Sequence, residues 1–335
     1  MTIPSFPEHE SIAKKLWDLS DDLDPLKPRR SYIYSGGLKG IPVYLRFKPH
    51  VDVSVKDVQA ELDWQYYLAS NCNSIVYPIR SKNNNFVELI SVKGKESFVA
   101  SLYLFALGED VHKQDRPFEK KCYDWGRAIG TMHRLTKDYT VEGAIRRPHW
   151  RKAINMGLLC QTSLRNEAKN IYKDETLASG EKTIDVLIEI SEWINSLPEE
   201  KESFGLVHGD VQENNFVVND EGLHIFDFSD CCYHWFAYDI AYPLYYISEM
   251  DHPHALDHSK GLMREEFYKG YFNEVRLEEK WIQRIPAFLK YRAAVIYHTM
   301  RRNYVLGHLS EVEYRGYQKN MSWVAKELSR PCQYI

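Results

Sequence analysis

Apolar residues recur with two different periods along the chain, and the period changes near residue 107. In the first part, short apolar runs separated by polar or turn residues are typical of β-strands. These runs predict strands at 31–34, 41–47, 74–79, 86–92 and 98–106. Residues 11–19 and 55–70 instead carry apolar side chains at helical spacing, and Glu61 lies at the edge of the second stripe. This part of the chain is therefore predicted to be β-rich.

Residues 35–40 read Ser-Gly-Gly-Leu-Lys-Gly and separate the first two predicted strands. Glycine supplies the backbone conformations that tight turns need, so the segment predicts a hairpin with a glycine-rich turn. The segment lacks a GxGxxG pattern, which makes it a weak indication of phosphate binding.

The chain after residue 107 is mostly helical in its pattern. Apolar positions at helical spacing predict helices within 118–134 and 154–193, and residues 260–335 are mainly helical as well. Gly108 suits a short hinge where the two patterns meet. The predicted fold class is α+β, with a β-rich lobe over residues 1–107 and a larger, mainly helical lobe over residues 108–335.

Charge and cysteine usage narrow the class of protein. The formal net charge of −4 and the lack of long basic runs argue against binding to nucleic acid. The six cysteines form no CxxC pair and follow no secretion signal, so reduced thiols and a cytoplasmic location are expected. The most apolar stretch, Trp235 to Ile247, is interrupted by Asp239 and Pro243 and is shorter than the roughly 20 residues that cross a bilayer. No membrane association is predicted.

The most informative segment is Val207-His-Gly-Asp-Val-Gln-Glu-Asn-Asn-Phe216, which a predicted strand-turn-strand follows. If Asn219–Gly222 form the turn, Phe216 pairs with Ile225, and Asn215 and Asp227 lie together at the open end. Neighbouring strands are about 4.8 Å apart, so an amide and a carboxylate there can share one Mg²⁺ with ligands at about 2.0–2.1 Å. A nucleotide would supply the remaining oxygen ligands.

Asp210 has a separate predicted task, because it lies five residues before Asn215 on the connecting loop. From there its carboxylate can accept the proton of an acceptor hydroxyl while that hydroxyl receives a phosphoryl group. General-base assistance of this kind contributes about 10²–10⁴-fold to the rate.

His208-Gly-Asp210 with Asn215, followed by Asp227-Phe228, resembles the HxDxxxxN and DF(G) elements of the aminoglycoside phosphotransferase and choline kinase family. The segment Trp125–Leu135 is also similar to a glycine-containing helix of that family. The resemblance covers nearly the whole chain. It implies a two-lobed, protein-kinase-like fold, ATP and Mg²⁺ as cofactors, Asp210 as catalytic base, and Asn215 and Asp227 as metal ligands.

The resemblance also implies a cation for the ATP phosphates and a carboxylate that orients this cation. Arg46 on the 43–47 strand and Glu61 on the next helix are the best matches. Such folds generally carry lysine at the strand position, and Lys48, on the same face of the strand, is the competing assignment. Ser229 replaces the glycine of the DFG element.

The expected reaction is transfer of the γ-phosphoryl group of ATP to a hydroxyl of a small polar metabolite or an aminoglycoside-like molecule. Choline, homoserine and aminosugars stay open as acceptors, as does GTP as the donor. Asp230 is the candidate substrate residue, beside aromatic rings that could bind a cationic amine. Two alternatives stay open: a Ser/Thr protein kinase of the same family, and a pseudokinase-like module that binds a nucleotide without turnover.

Asp239 and the histidines around Pro253 are interpreted without a role in catalysis. Asp239 is expected to cap a helix or anchor a loop. His252, His254 and His258 surround Pro253, but no carboxylate or thiol at a standard zinc spacing accompanies them, so a zinc site is not predicted.

Overall fold

The structure of the 335-residue chain is a computed structural model. It describes residues 6–20, 22–26, 31–106, 108–109, 118–141, 146–153, 166, 169, 171, 177–249, 257–320 and 322–335. The chain divides into two compact units that are discontinuous in sequence. The first unit contains residues 1–147, 210–231 and 265–275, and the second contains residues 148–209, 232–264 and 276–335. The predicted lobe boundary at residues 107 and 108 stays a prediction.

The first unit contains an antiparallel sheet and a separate hairpin. The strands are β1 Asp24–Pro25, β2 Tyr32–Leu38, β3 Ile41–Pro49, β4 Pro78–Ile79, β5 Val87–Ile90, β6 Phe98–Leu104, β8 Phe216–Asn219 and β9 Gly222–Ile225. The sheet has the order β1-β2-β3-β6-β4, and β5 also pairs with β6. β8 and β9 form the hairpin, in which Phe216 pairs with Ile225 as the sequence predicts.

The turn between β2 and β3 is shorter than the sequence pattern indicates. Leu38 pairs with Ile41, so Lys39 and Gly40 alone connect the strands, with φ of 51° and 80°. Gly36 and Gly37 lie within β2 instead of in the turn. Two left-handed residues match the twist of a tight hairpin, which is why the strands continue further than predicted.

Alternation along β3 and β6 gives the two faces of the sheet different roles. Val43, Leu45 and Phe47 lie in the apolar cluster that includes residues of α1, Pro7–Trp17. Val99 and Tyr103 of β6 lie in a second cluster with residues of α2, Val55–Asn71. Because side chains alternate across a strand, the even-numbered residues of β3 are directed to the face that carries α2.

Helix α2 begins where the sequence predicts. The hydroxyl of Ser54 accepts a hydrogen bond from the backbone N–H of Asp57 at 3.1 Å and caps the helix. Glu61, one turn further along, is buried with 1% of its surface exposed, so the apolar stripe and this acidic residue both belong to the packed side of the helix.

The second unit is mainly helical, and it also contains a two-stranded pairing that the sequence patterns did not reveal. β7, Phe204–Val207, pairs antiparallel with β10, Cys232–Trp235. The two strands are short, and their partners lie 25 or more residues apart, so no local turn marks the pair. The helices after α2 are α3 Phe118–Asp138 in the first unit, α4 Leu177–Ser196, α5 Phe236–Glu249, α6 Asp257–Glu274, α7 Glu279–Ile282, α8 Ile285–Val305, α9 Glu311–Asn320 and α10 Ser322–Ser329. Helix α6 begins in the second unit and ends in the first.

Within the first unit, α3 and the last part of α6 approach each other through glycine. A Cβ atom on Gly126 would lie 1.9 Å from the carbonyl oxygen of Phe267, and one on Gly270 would lie 2.0 Å from that of Tyr123. His133 Nδ1 and the hydroxyl of Tyr271 are hydrogen-bonded at 2.9 Å in the same contact. The glycines of the Trp125–Leu135 segment therefore serve close packing of two helices.

We expect Gly126→Ala to lower the free energy of unfolding by about 1–3 kcal/mol or more, because the methyl group forces the two helices apart. Gly316→Ala is the matched control, since it lies on exposed helix α9 with no atom within 4 Å of the added Cβ. Its higher helix propensity should stabilise the protein by up to about 1 kcal/mol. Urea unfolding of both variants measures the difference, and equal stabilities would contradict this account.

Candidate active site

Arg46 and Lys48 of β3 converge on Glu61 of α2. Arg46 Nη1 lies 2.8 Å from Glu61 Oε1, and Lys48 Nζ lies 3.7 Å from Glu61 Oε2. All three side chains are buried, with at most 10% of each side chain exposed. Strand alternation and the cap of α2 therefore bring together the three charged residues that the sequence indicates for this region.

The charges in this cluster shift one another's pKa values. Burial raises the pKa of Glu61, but the cations Arg46, Lys48 and Arg147 outweigh burial and lower it to about 2. Burial and the neighbouring Arg46 together lower the pKa of Lys48. Burial acts in the same direction on Arg46, yet Glu61 and other neighbours hold its pKa above the ordinary value. Glu61 is thus ionised at neutral pH.

The Arg46 guanidinium has donor capacity beyond this ion pair. Its Nε donates to the hydroxyl of Ser101 at 3.2 Å, and the group lies 5.1 Å from the ring centroid of Tyr103. Nη2 is buried and has no hydrogen-bond partner among the described residues. A buried, unpartnered guanidinium N–H fits a phosphate oxygen, which is the group expected for Arg46 from the sequence.

In the second unit, the backbone that leads into Asp210 is held from two sides. The carboxylate of Asp239 accepts hydrogen bonds from the N–H groups of His208 at 2.8 Å and Gly209 at 2.7 Å. Arg292 Nη1 donates to the carbonyl oxygen of Gly209 at 2.8 Å. Gly209 has a φ of 83°, a left-handed conformation that glycine adopts without strain. Asp239 therefore anchors the loop. Anchoring a loop is one of the two roles that the sequence predicts for this residue.

Asp210 is held by two amide side chains in the first unit. Its Oδ2 accepts from Gln212 Nε2 and from Asn215 Nδ2, both at 2.9 Å. Asn215 Nδ2 also donates to the carbonyl oxygen of Asp210 at 2.8 Å. Because all of these Asp210 atoms are acceptors, the amide nitrogen of Asn215 must face them, and its carbonyl oxygen Oδ1 is the atom left for a cation.

The β8–β9 hairpin brings the backbone before Asp227 beside Asn215. The N–H of Phe226 donates to the carbonyl oxygen of Asn215 at 2.9 Å. Asp227 itself is left-handed, with φ 62° and ψ 65°, and Phe228 is buried against Trp64 of α2 at a centroid distance of 5.3 Å. The sequence predicts Asn215 and Asp227 at the same end of this hairpin, and the register Phe216–Ile225 agrees with this prediction.

The surroundings of Asp227 favour its carboxylate form, although its side chain is solvent-exposed. Desolvation by the surrounding protein raises the pKa of Asp227, but a hydrogen bond from Ser229 and the charges of Arg46 and Lys48 outweigh it, so the pKa is lowered. One carboxylate and one amide carbonyl oxygen suit the preference of Mg²⁺ for oxygen ligands. Asp227 and Asn215 therefore fit the metal role proposed from the sequence.

The segment after Asp227 is held by a residue that no motif indicated. Arg147 donates to three carbonyl oxygens: that of Asp57 at 3.0 Å, that of Ser229 at 2.7 Å and that of Cys231 at 2.8 Å. It thereby ties the first turn of α2 to the segment that follows Asp227. Backbone carbonyls carry no signature in the sequence, so no motif pointed to Arg147.

Asp230 lies half-buried in the 3₁₀ turn Phe228–Asp230, and its substrate role stays a prediction. His252, His254 and the side chain of His258 lie outside the part of the chain that the structure describes. Among the side chains that the structure does describe, no group of three or more His, Cys, Asp or Glu could hold a metal ion.

Three features of the described residues are typical of kinase-like phosphotransferases. They are a buried cation–glutamate pair beside a sheet, a loop aspartate bonded to an asparagine, and a carboxylate at the end of a hairpin. The model of the family described as "Phosphotransferase enzyme family" matches residues 28–274. The chain therefore belongs to this family, and it is a kinase-type enzyme that transfers phosphate to a hydroxyl group.

Individual relatives agree with the family assignment. The chain is 28% identical to the amicoumacin kinase of Bacillus subtilis (strain 168) over 298 residues, which are 88% of this chain and 84% of the relative. The solved structure of an amicoumacin kinase in complex with AMP-PNP and Ca²⁺ matches with a TM-score of 0.77 and 25% identity, over 95% of this chain and 91% of the other.

A microcompartment-associated aminopropanol kinase shares the fold, with a TM-score of 0.72 and 15% identity over 95% of both chains. The kinase-like fold class predicted from the sequence is thus confirmed, and so is the resemblance to the aminoglycoside phosphotransferase and choline kinase family. These findings favour an enzyme that acts on a small molecule over the protein-kinase and pseudokinase alternatives. None of the helices, over the residues that the structure describes, is long and apolar enough to span a membrane.

Proposed function

We propose that this phosphotransferase is ATP- and Mg²⁺-dependent and moves the γ-phosphoryl group to a hydroxyl of a small polar molecule. Asp210 acts as the general base. The observation that carries the proposal is the pair of amide hydrogen bonds that fixes Asp210 Oδ2, with Asn215 and Asp227 at the same end of one hairpin. A carboxylate that receives a proton and two oxygen ligands for a cation are the parts that phosphoryl transfer requires.

Each residue has a defined role in this reaction. The acceptor oxygen forms a bond to the γ-phosphorus as the bond to the leaving ADP breaks, and the acceptor's proton passes to the carboxylate of Asp210. Arg46, held by Glu61, directs its buried Nη2 donor to the phosphates. Mg²⁺, when bound by Asn215 Oδ1 and the carboxylate of Asp227, would neutralise charge on the phosphate oxygens.

The acceptor class follows from the relatives more than from the geometry. Amicoumacin is the first acceptor to test, because the proteins at 28% and 25% identity are amicoumacin kinases. Aminoglycosides, choline and homoserine form the second group of acceptors. We further propose that the reaction takes place in the cytoplasm, where ATP is available and where cysteine thiols stay reduced.

The proposal is tested by incubating the purified protein with γ-labelled ATP, Mg²⁺ and each acceptor, and by separating the labelled products. We expect label on a small molecule, loss of transfer when EDTA removes the divalent cation, and loss of transfer in Asp227→Asn. A parallel reaction with γ-labelled GTP determines the donor. Label on protein alone would contradict the small-molecule proposal, and transfer that is insensitive to EDTA would contradict the metal assignment.

A further inference from the structure

Lys48, Ser229 and Asp227 form a continuous chain of hydrogen bonds. Lys48 Nζ lies 2.7 Å from the hydroxyl oxygen of Ser229, and that oxygen lies 2.6 Å from Asp227 Oδ1. An ammonium group only donates, so Ser229 Oγ accepts from Lys48. The single hydroxyl hydrogen of Ser229 is then directed to the carboxylate of Asp227, and the direction of both hydrogen bonds is fixed.

The backbone of Ser229 is fixed as well. Arg147 Nη2 donates to its carbonyl oxygen at 2.7 Å, and the residue lies in the 3₁₀ turn that follows the left-handed Asp227. The backbone position of Ser229 and the direction of its hydroxyl hydrogen are therefore both fixed. Lys48, with 8% of its surface exposed, has little room to leave this arrangement.

We propose that Ser229 is a positioning residue that orients the Asp227 carboxylate for the divalent cation, and that Lys48 acts through Ser229. The inference rests on the proposed function, in which Asp227 is a metal ligand. A hydrogen bond on Oδ1 restricts rotation of the carboxylate and presents Oδ2 in one orientation. A glycine at this position, as in the DFG element, has no side chain with which to do this.

The two buried cations of β3, Arg46 and Lys48, have different roles in this proposal. Arg46 has the unpartnered donor Nη2 for phosphate, whereas the ammonium of Lys48 is already directed to Ser229. Lys48 therefore serves the metal carboxylate and Arg46 serves the nucleotide phosphates. Residues that hold a metal ligand in this way typically contribute about 10–100-fold to metal affinity.

The test measures binding of Mn²⁺, a paramagnetic substitute for Mg²⁺, to the protein with AMP-PNP by electron paramagnetic resonance. We expect Ser229→Ala to weaken Mn²⁺ binding by about 10–100-fold. Affinity for AMP-PNP in the presence of EDTA should not change. Ser229→Thr, which keeps the hydroxyl, should restore Mn²⁺ affinity, and Ser229→Gly should lose it as Ser229→Ala does. Ser91→Ala, at an exposed serine that bonds Ser97, is the matched control.

A double-mutant cycle tests whether Lys48 acts through Ser229. Lys48→Met should weaken Mn²⁺ binding, and Lys48→Met combined with Ser229→Ala should weaken it no further than the stronger single change. Additive losses would overturn the role of Lys48, and wild-type Mn²⁺ affinity in Ser229→Ala would overturn the role of Ser229. If the wild-type protein itself bound no Mn²⁺ with AMP-PNP, the proposed function would fail instead.

Discussion

Asp210→Asn is expected to lower kcat by about 10²–10⁴-fold with little change in affinity for the nucleotide. Asparagine has nearly the same shape as aspartate, and its carbonyl oxygen can still accept the hydrogen bonds that Gln212 and Asn215 donate to Oδ2. The loop should therefore keep its conformation. The amide cannot receive the proton of the acceptor hydroxyl, so the loss falls on the chemical step.

The measurement is a steady-state assay with the acceptor that the labelling experiment identifies, combined with AMP-PNP binding by calorimetry. Asp220→Asn is the matched control, because the same substitution then falls on the exposed turn of the β8–β9 hairpin. This control should keep wild-type kcat. Full activity in Asp210→Asn would remove the general base from the mechanism, while equal loss of nucleotide affinity and kcat would indicate damage to the loop.

Gln212 illustrates what sequence reasoning could have added at this loop. It lies two residues after Asp210 and donates to the same oxygen as Asn215 does. The motif assigns roles to the aspartate and the asparagine but none to the residues between them. A glutamine side chain is long enough to return to a residue two positions away, so its amide could have been considered as a partner of Asp210.

Local features of the site were predictable from the sequence because short-range geometry determines them. The turn Asn219–Gly222 sets the register of the hairpin, and the register places Asn215 and Asp227 at one end. Strand alternation likewise places Arg46 and Lys48 on one face of β3. In both cases, residues a few positions apart determine where the side chains point.

The remaining contacts depend on residues far apart in the chain. Lys48 and Ser229 are separated by 181 positions, and β7 pairs with β10 although no single local turn connects the two strands. Arg147 binds carbonyl oxygens, which every residue possesses, so its partners could not be read from side-chain types. Contacts between residues so far apart therefore could not be predicted from local sequence patterns.

Glu61→Gln should lower the free energy of unfolding by about 3–5 kcal/mol, which is the usual cost of breaking a buried ion pair from one side. The carboxylate compensates two buried cations, with Arg46 Nη1 at 2.8 Å and Lys48 Nζ at 3.7 Å. Glutamine keeps the shape of the side chain but removes its charge, and both cations are then left in a poorly solvated region. Urea unfolding at neutral pH measures the loss.

Glu311→Gln is the matched control, because Glu311 also pairs with an arginine, Arg315, but on the exposed surface of helix α9. An exposed pair contributes at most about 1 kcal/mol, so this variant should stay close to the wild type. Equal effects of the two substitutions would show that burial of the Glu61 pair adds nothing to its strength.

The stability difference between the wild type and Glu61→Gln is also expected to depend on pH, with a definite sign. The pKa of Glu61 is lowered from 4.5 to about 2 in the folded protein, so the folded state favours the ionised carboxylate. Its stabilising contribution is fully present above the unfolded pKa and is lost as the pH falls towards the folded pKa. The stability difference between wild type and Glu61→Gln should therefore be constant near neutral pH and narrow between pH 4.5 and about 2. A difference that stays constant across this window would mean that the carboxylate stabilises the fold by packing, since only its charge depends on pH.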